Sequence, residues 1–369
     1  MREGWTYKKL NEVCDKSSSN IVINKLDDNN GDYPLFGASG LVKNVDFYHQ
    51  DKPYIGIVKD GAGVGRVNTY PAYSSLVGTM QYIFPKEECL LNYVKYFLVK
   101  LDLSHCVSGA TIPHIYFKDY GKELIPVPPL STQLSIVSEL DKISELIRLK
   151  KEQLKDYDKL AQSLFYQMFG DPVENEKGWE VKKLIETVVL ECTISYGIVQ
   201  PGDGVEDGIP VVRPIDLTGT FVSTNNLKKT TEKISSSYSR TILTGKELLV
   251  CVRGTTGVCS LVTDELKGCN VTRGITPLLF NDNTDRWFMY YQFQMPQIKC
   301  IIADYTKGIT LKQINMADFR KIPVILPPLP LQQLFAQRIE LIEKQKAEIQ
   351  STIADLETLL ASRMQYWFD

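Results

Sequence analysis

The chain is written twice. Gly4-Trp5-Thr6-Tyr7-Lys8-Lys9-Leu10 returns as Gly178-Trp179-Glu180-Val181-Lys182-Lys183-Leu184, an offset of 174. Tyr33-Pro34-Leu35 pairs with Ile209-Pro210-Val211 at 176, and Lys59-Asp60-Gly61-Ala62-Gly63-Val64-Gly65 resembles Val252-Arg253-Gly254-Thr255-Thr256-Gly257 at 193. Pro128-Pro129-Leu130-Ser131-Thr132-Gln133 matches Pro327-Pro328-Leu329-Pro330-Leu331-Gln332 at 199, and residues 163–169 match 362–368 at the same offset. Ordered matches whose offset only grows are what a tandem duplication with diverged middle loops leaves behind. The chain is therefore constrained to fold as two copies of one plan.

Within each copy the texture changes. The first part holds short apolar runs such as Tyr54-Ile55-Gly56-Ile57-Val58 and Leu248-Leu249-Val250-Cys251-Val252, which read as strands between turns. Shorter helical pieces fit at 91–101 and 286–301. The second part reads as one long helix, entered through prolines at 126, 128 and 129 and at 327, 328 and 330, with none further inside. Apolar residues then alternate by four and three: Ile136, Leu140, Ile143, Ile147, Lys150, Leu154, Tyr157, Ala161, Leu164 and Met168. Adding 199 gives Phe335, Ile339, Ile342, Lys346, Ile349, Ile353, Leu356, Leu360, Arg363 and Trp367. Each is a coiled-coil seam broken by a lysine. Two matched seams favour mutual pairing; an amphipathic helix lying on its own domain is the alternative. The expected fold class is α/β of the α+β kind, with β-cored domains at 1–130 and 178–329, long helices at 131–170 and 330–369, and a linker at 171–177. Helices of about 37 residues extend roughly 55 Å and could hold two domains apart.

Composition limits what such a chain can do. Apolar residues at 43% and charged residues at 23% describe an ordinary globular protein. The start, Met1-Arg2-Glu3-Gly4-Trp5, lacks the apolar core of a secretory signal, and no apolar run reaches membrane-spanning length; a cytoplasmic location without a membrane partner is expected. Eight scattered cysteines without a C-x-x-C, beside three histidines (His49, His105, His114), point to free thiols and no metal site. The net charge is −2, and by segment residues 1–130 carry 14 basic against 14 acidic side chains while 178–329 carry 17 against 15. Any nucleic-acid binding must therefore use local patches.

Catalytic machinery is not legible. Gly121-Lys122-Glu123 and Gly245-Lys246-Glu247 lack the spacing and hydroxyl of a phosphate loop. The Pro-Pro pairs, flanked by Val127 and Leu130 or Leu326 and Leu329, lack the polar and aromatic neighbours an amino-methyltransferase needs, and read as helix entries. Asp171 with Glu180-Val181-Lys182 imitates a nuclease metal site, but the repeat places Thr6-Tyr7-Lys8 opposite, without a counterpart to the glutamate. Gly61-Ala62-Gly63-Val64-Gly65 precedes a strand-like stretch, not a helix, and reads as a tight β-turn.

The two Gly-Trp openings, Tyr33-Pro34-Leu35-Phe36-Gly37-Ala38-Ser39-Gly40, the turn at 60–66, Gly109-Ala110-Thr111-Ile112-Pro113-His114-Ile115 with its counterpart Gly308-Ile309-Thr310-Leu311, and both Pro-Pro-Leu-x-x-Gln entries form one ordered set. Taken together, the chain resembles the specificity subunit of type I restriction–modification systems. The likeness covers essentially the whole sequence and is carried by order and duplication, not by any single motif. It implies a non-catalytic subunit with two target recognition domains, each reading half of a split double-stranded DNA site, and two antiparallel helices fixing the gap. It also implies two modification subunits that use S-adenosylmethionine to methylate adenine N6, with the target base flipped into them, and ATP- and Mg-dependent restriction subunits. No cofactor is expected in this chain.

Base edges take Arg, Lys, Asn and Gln, while phosphates take Lys, Arg, Ser and Thr. On that chemistry the candidate DNA contacts are Ser39, Lys43, Lys59, Arg66 and His114 in the first domain, and Arg213, Arg253, Thr255, Arg273, Lys307 and Lys312 in the second. Each competes with the simpler role of a solvated charge or turn residue. Because the copies differ at nearly all of these positions, the two half-sites should differ. Two rivals stay open: a recognition chain for another methylase or phage-defence complex, and a protein-binding scaffold with a coiled-coil spacer.

Overall fold

The computed structural model describes residues 4–109, 111–202, 204–308 and 312–369. The chain forms two compact units, Met1–Glu152 with Gln350–Asp369, and Gln153–Ile349. Each unit is framed by the same two-stranded ladder. In the first, Thr6–Lys9 runs antiparallel to Leu124–Val127, with Thr6 opposite Val127 and Lys9 opposite Leu124. In the second, Glu180–Lys183 pairs with Pro323–Leu326, with Glu180 opposite Leu326 and Lys183 opposite Pro323. One strand of each ladder is related by the offset of 174 and the other by 199, so both distances meet in one register. Just beyond, Glu12 accepts from the Lys9 amide at 2.8 Å and Glu186 from the Lys183 amide at 2.7 Å, capping the turn that follows.

In the first unit an antiparallel sheet has the order Cys14–Ser18, Met80–Pro85, Tyr54–Val58, Val67–Tyr70. A second sheet places Tyr33–Gly37 between Gly40–Val45, antiparallel, and Ser75–Leu76, parallel. Tyr54–Val58 is buried along its whole length because both faces are covered. Alternation along the strand sends Ile55 and Ile57 into a core with Tyr93, Val94 and Phe97 of the helix Leu91–Leu101, and Tyr54 and Val58 into another with Leu35, Val45 and Leu76. A continuous apolar run is what a strand covered on both faces requires.

The second unit repeats this division. Leu248–Cys251 lies between Cys259–Leu261 and Ile275–Leu278, while Ile209–Val212 lies between Lys228–Thr230 and Asn270–Val271. Leu248 and Val250 pack with Phe288 and Phe293; Leu249 and Cys251 pack with Val212 and Val271. The helix expected across 286–301 is two helices, Arg286–Gln294 and Pro296–Tyr305. Pro296 has no amide hydrogen to continue the ladder, and its ring drives Met295 into extended geometry at φ −64° and ψ 136°.

Two helices of 40 residues, Leu130–Phe169 and Leu329–Phe368, complete the structure. No seam residue is exposed. Ile136, Leu140, Ile143 and Ile147 are buried, as are Phe335, Ile339, Ile342, Ile349 and Ile353, while Leu154, Tyr157, Leu164, Met168, Leu356, Leu360 and Trp367 are half-buried. Within the first unit, Arg363 and Trp367 both donate to Glu139, and Lys151 meets Glu357 at 2.7 Å, so the segments run antiparallel. Within the second, Lys346 meets Asp158 at 2.8 Å and the rings of Phe335 and Phe165 lie 5.7 Å apart, again antiparallel. The helices also pack on the domains: Ile136 and Leu140 share the core of the helix Leu91–Leu101. Further buried helix anchors sit beside the seam. Phe165 and Phe169 cluster with Phe288 and Phe335, while Met364 and Phe368 enter the core of the first unit.

Candidate nucleic-acid interface

The strand Tyr54–Val58 ends at a turn whose backbone is tied to a distant loop. Gly61 sits at φ +83°, in the left-handed region that glycine enters without a Cβ clash. Its amide donates to the Pro113 carbonyl at 2.9 Å, and the Ile115 amide donates to the Lys59 carbonyl at 2.9 Å. Between these bonds Asp60 forms a β-bridge with His114. The second unit reproduces each link. Gly254, at φ +88°, donates to the Lys312 carbonyl at 2.8 Å, Ile314 donates to the Val252 carbonyl at 3.0 Å, and Arg253 bridges Gln313. The offset is 193 on one side of the bridge and 199 on the other.

A third segment adjoins this edge. The Lys59 amide donates to the Thr79 carbonyl at 2.9 Å and the Val252 amide to the Gly274 carbonyl at 2.8 Å; Gly78 donates to Ile21 and Arg273 to Ile198, both at 2.8 Å. Gly274 is pressed close: a Cβ there would lie 2.7 Å from Pro214 Cγ, with the Arg253 carbonyl oxygen 3.7 Å away. Arg213, Arg253 and Arg273 therefore stand on adjoining segments of the second unit. The equivalent positions in the first unit are Gly37, Asp60 and Gly78, so this arginine group has no basic counterpart there.

The candidates divide by how their polar groups are used. In the first unit Ser39 is exposed at a hairpin tip, and exposed Arg66 reaches the neighbouring Ala38 carbonyl at 3.5 Å, so this hairpin adjoins the turn. Lys59 is half-buried with Asp60 at 3.5 Å, and His114 Nδ1 lies 3.2 Å from the Ile112 carbonyl. Lys43 is tied elsewhere, its Nζ donating to Leu26 at 2.6 Å and Asp27 at 3.4 Å. In the second unit Arg213 forks onto buried Asp216, with Nε and Nη2 at 3.0 and 2.9 Å. Those hydrogen bonds push the Arg213 pKa upward and spend its charge locally. Arg253 is half-buried, yet among the described residues its side chain has no hydrogen bond or ion pair, and the same holds for exposed Arg273. Exposed Thr255 has Oγ1 3.6 Å from Cys251 Sγ, and exposed Lys307 faces Gln313 across a short ladder beside exposed Lys312.

Ala110 in the first copy and residues 309–311 in the second fall outside the described residues. Gln313 was not among the sequence candidates, although the offset of 199 from His114 points to it; Asp60, also not among them, is the counterpart of Arg253 at 193. Among the described residues, no group of three or more His, Cys, Asp or Glu side chains could hold a metal ion, and no helix is long and apolar enough to cross a membrane.

The comparisons with known proteins fit this duplicated body. The model of the family "Type I restriction modification DNA specificity domain" matches twice, over residues 2–156 and 177–358. The chain is 23% identical over 257 residues to the type I restriction enzyme EcoBI specificity subunit of Escherichia coli, covering 63% of this chain and 54% of that relative. It is 25% identical over 292 residues to the MjaIX specificity subunit of Methanocaldococcus jannaschii, covering 71% and 65%. The chain thus spans between half and two thirds of the length of these relatives. In fold it is similar to the S subunit of a type I restriction–modification system from M. genitalium, with a TM-score of 0.59 and 15% identity over 99% of this chain and 96% of that one. A chain from a structural study of type I complex assembly and conformational transition gives a TM-score of 0.56 and 19% identity, covering 100% and 98%.

Proposed function

We infer the function from one premise: this chain belongs to the type I restriction–modification DNA specificity family. Each unit reads one half of a split double-stranded DNA site, and the chain directs other subunits to it without doing chemistry itself. The observation that carries this reading is the duplicated edge. Two copies keep the same backbone hydrogen bonds around 59–61 and 252–254 while the side chains presented there change from Asp60 and His114 to Arg253 and Gln313. A rigid frame with variable side chains is what two readers of different letters require. Of the candidates, Ser39, Lys59, Arg66 and His114 adjoin the first edge, and Arg253, Thr255, Arg273, Lys307 and Lys312 the second; Lys43 and Arg213 are assigned to positioning.

The seam helices set the gap between half-sites and, with the prolines at their entries, offer the docking surface for two modification subunits. Those subunits would methylate adenine N6 with S-adenosylmethionine, and restriction subunits would supply ATP- and Mg-dependent cleavage. DNA binding by the full chain in its complex tests the reading. Phosphate contacts release counterions, so affinity should fall steeply and linearly in log–log terms as salt rises. Binding that ignores salt would favour a protein-binding scaffold instead.

A further inference from the structure

We propose that the bridge position fixes one letter of each half-site, with Arg253 reading a guanine in one and Asp60 reading a cytosine in the other. The proposal rests on the DNA-reading function above and assigns its specificity to a single structurally equivalent pair.

Position is the first argument. Residues 60 and 253 sit between two backbone hydrogen bonds that recur at 2.8–3.0 Å in both units, so each side chain leaves a fixed frame. Availability is the second. The opposite members of the bridge each spend one polar atom locally: Gln313 Nε2 donates to the Tyr196 hydroxyl at 3.2 Å, and His114 Nδ1 lies 3.2 Å from the Ile112 carbonyl. Arg213, the other half-buried arginine of the group, is forked onto Asp216. Arg253 keeps all five donors free among the described residues. Asp60 approaches Lys59 only at 3.5 Å and is 38% exposed, which leaves carboxylate lone pairs for a further donor.

Chemistry supplies the letters. A guanidinium fork matches the O6 and N7 acceptors of guanine in the major groove, whereas a carboxylate accepts from the N4 amine of cytosine. A carboxylate makes a poor neighbour for phosphate, so Asp60 is better explained as a base contact than as part of an electrostatic track.

The test maps the methylated motif by single-molecule sequencing in cells expressing the full chain with its modification subunit. Wild type, Arg253→Ala, Arg253→Lys and Asp60→Ala are compared. Arg253→Ala should relax one guanine in one half-site, with discrimination falling roughly tenfold or more, and leave the other half-site intact. Arg253→Lys keeps the charge but loses the fork, and should relax the same position; if the alanine variant gives no mark at all, this variant decides. Asp60→Ala should relax a cytosine in the opposite half-site. Unchanged letters with only fewer sites modified would mean phosphate or structural roles and overturn the proposal. A wild type that yields no split motif would instead overturn the DNA-reading function beneath it.

Discussion

Gln133 holds Leu90 at the start of a helix: its Oε1 accepts from the Leu90 amide at 2.9 Å. Its Nε2 donates to the carbonyls of Glu88 at 2.8 Å and Pro128 at 3.0 Å. Gln332 makes the same three bonds, to the Asp285 amide at 2.9 Å and to Asn283 and Pro327 at 3.2 and 2.7 Å. Both side chains are fully buried. Each glutamine therefore locks the entry of a long helix to the first turn of a domain helix. Replacing either by alanine strands backbone groups away from water, and should cost about 1–3 kcal/mol in chemical denaturation.

The pair Arg363 and Glu139 makes stability depend on acid. The hydrogen bonds from Arg363, ahead of the one from Trp367, hold the Glu139 carboxyl below the ordinary glutamate range. A depressed carboxyl contributes stability that is fully present above its unfolded value and is lost as pH falls through the folded one. Thermal midpoints from neutral to acidic pH should show a smaller acid loss in Glu139→Gln than in wild type. Equal acid sensitivity would remove this pair from the account.

Lys346 is the polar break in the second seam and is mostly buried. Burial pulls its pKa down, but hydrogen bonds to Asp158 and Glu343 outweigh that and leave it raised. Glu343 also accepts from the Tyr291 hydroxyl at 3.0 Å. Lys346→Ala leaves Glu343 buried without its cation and should cost about 3 kcal/mol in denaturant unfolding. Lys346→Met with Glu343→Gln should recover most of that loss.

If the helices set the gap, inserting one heptad into the seam between residues 140 and 157 should lengthen the unspecified stretch between half-sites while leaving their letters unchanged. Motif mapping reads this directly. Altered letters at a constant gap would contradict the spacer role.

Much of this was legible because the duplication gives each observation a second copy. The offsets of 174 and 199 prefigured the paired ladders, and four–three spacing found the seams because burial in a helix pair follows that period. The buried anchors beside the seam, Phe165, Phe169, Met364 and Phe368, were missed. They sit one position beyond the seam, where the helix turns toward its domain, and a heptad pattern does not report that second face. At the edge, residue type could suggest cations but could not show that Lys43 and Arg213 are tied up locally while Arg253 is not. The Asp60–Arg253 equivalence was legible in the offset of 193, but residue type alone did not mark Asp60 itself as a DNA contact.

The most direct test of the central claim is single-molecule methylome sequencing of cells expressing this chain with and without its neighbouring modification subunit. The account predicts a new split motif carrying N6-methyladenine, with two different half-sites, only when both proteins are present. A motif made by the modification subunit alone, or no new mark despite an assembled complex, would contradict it.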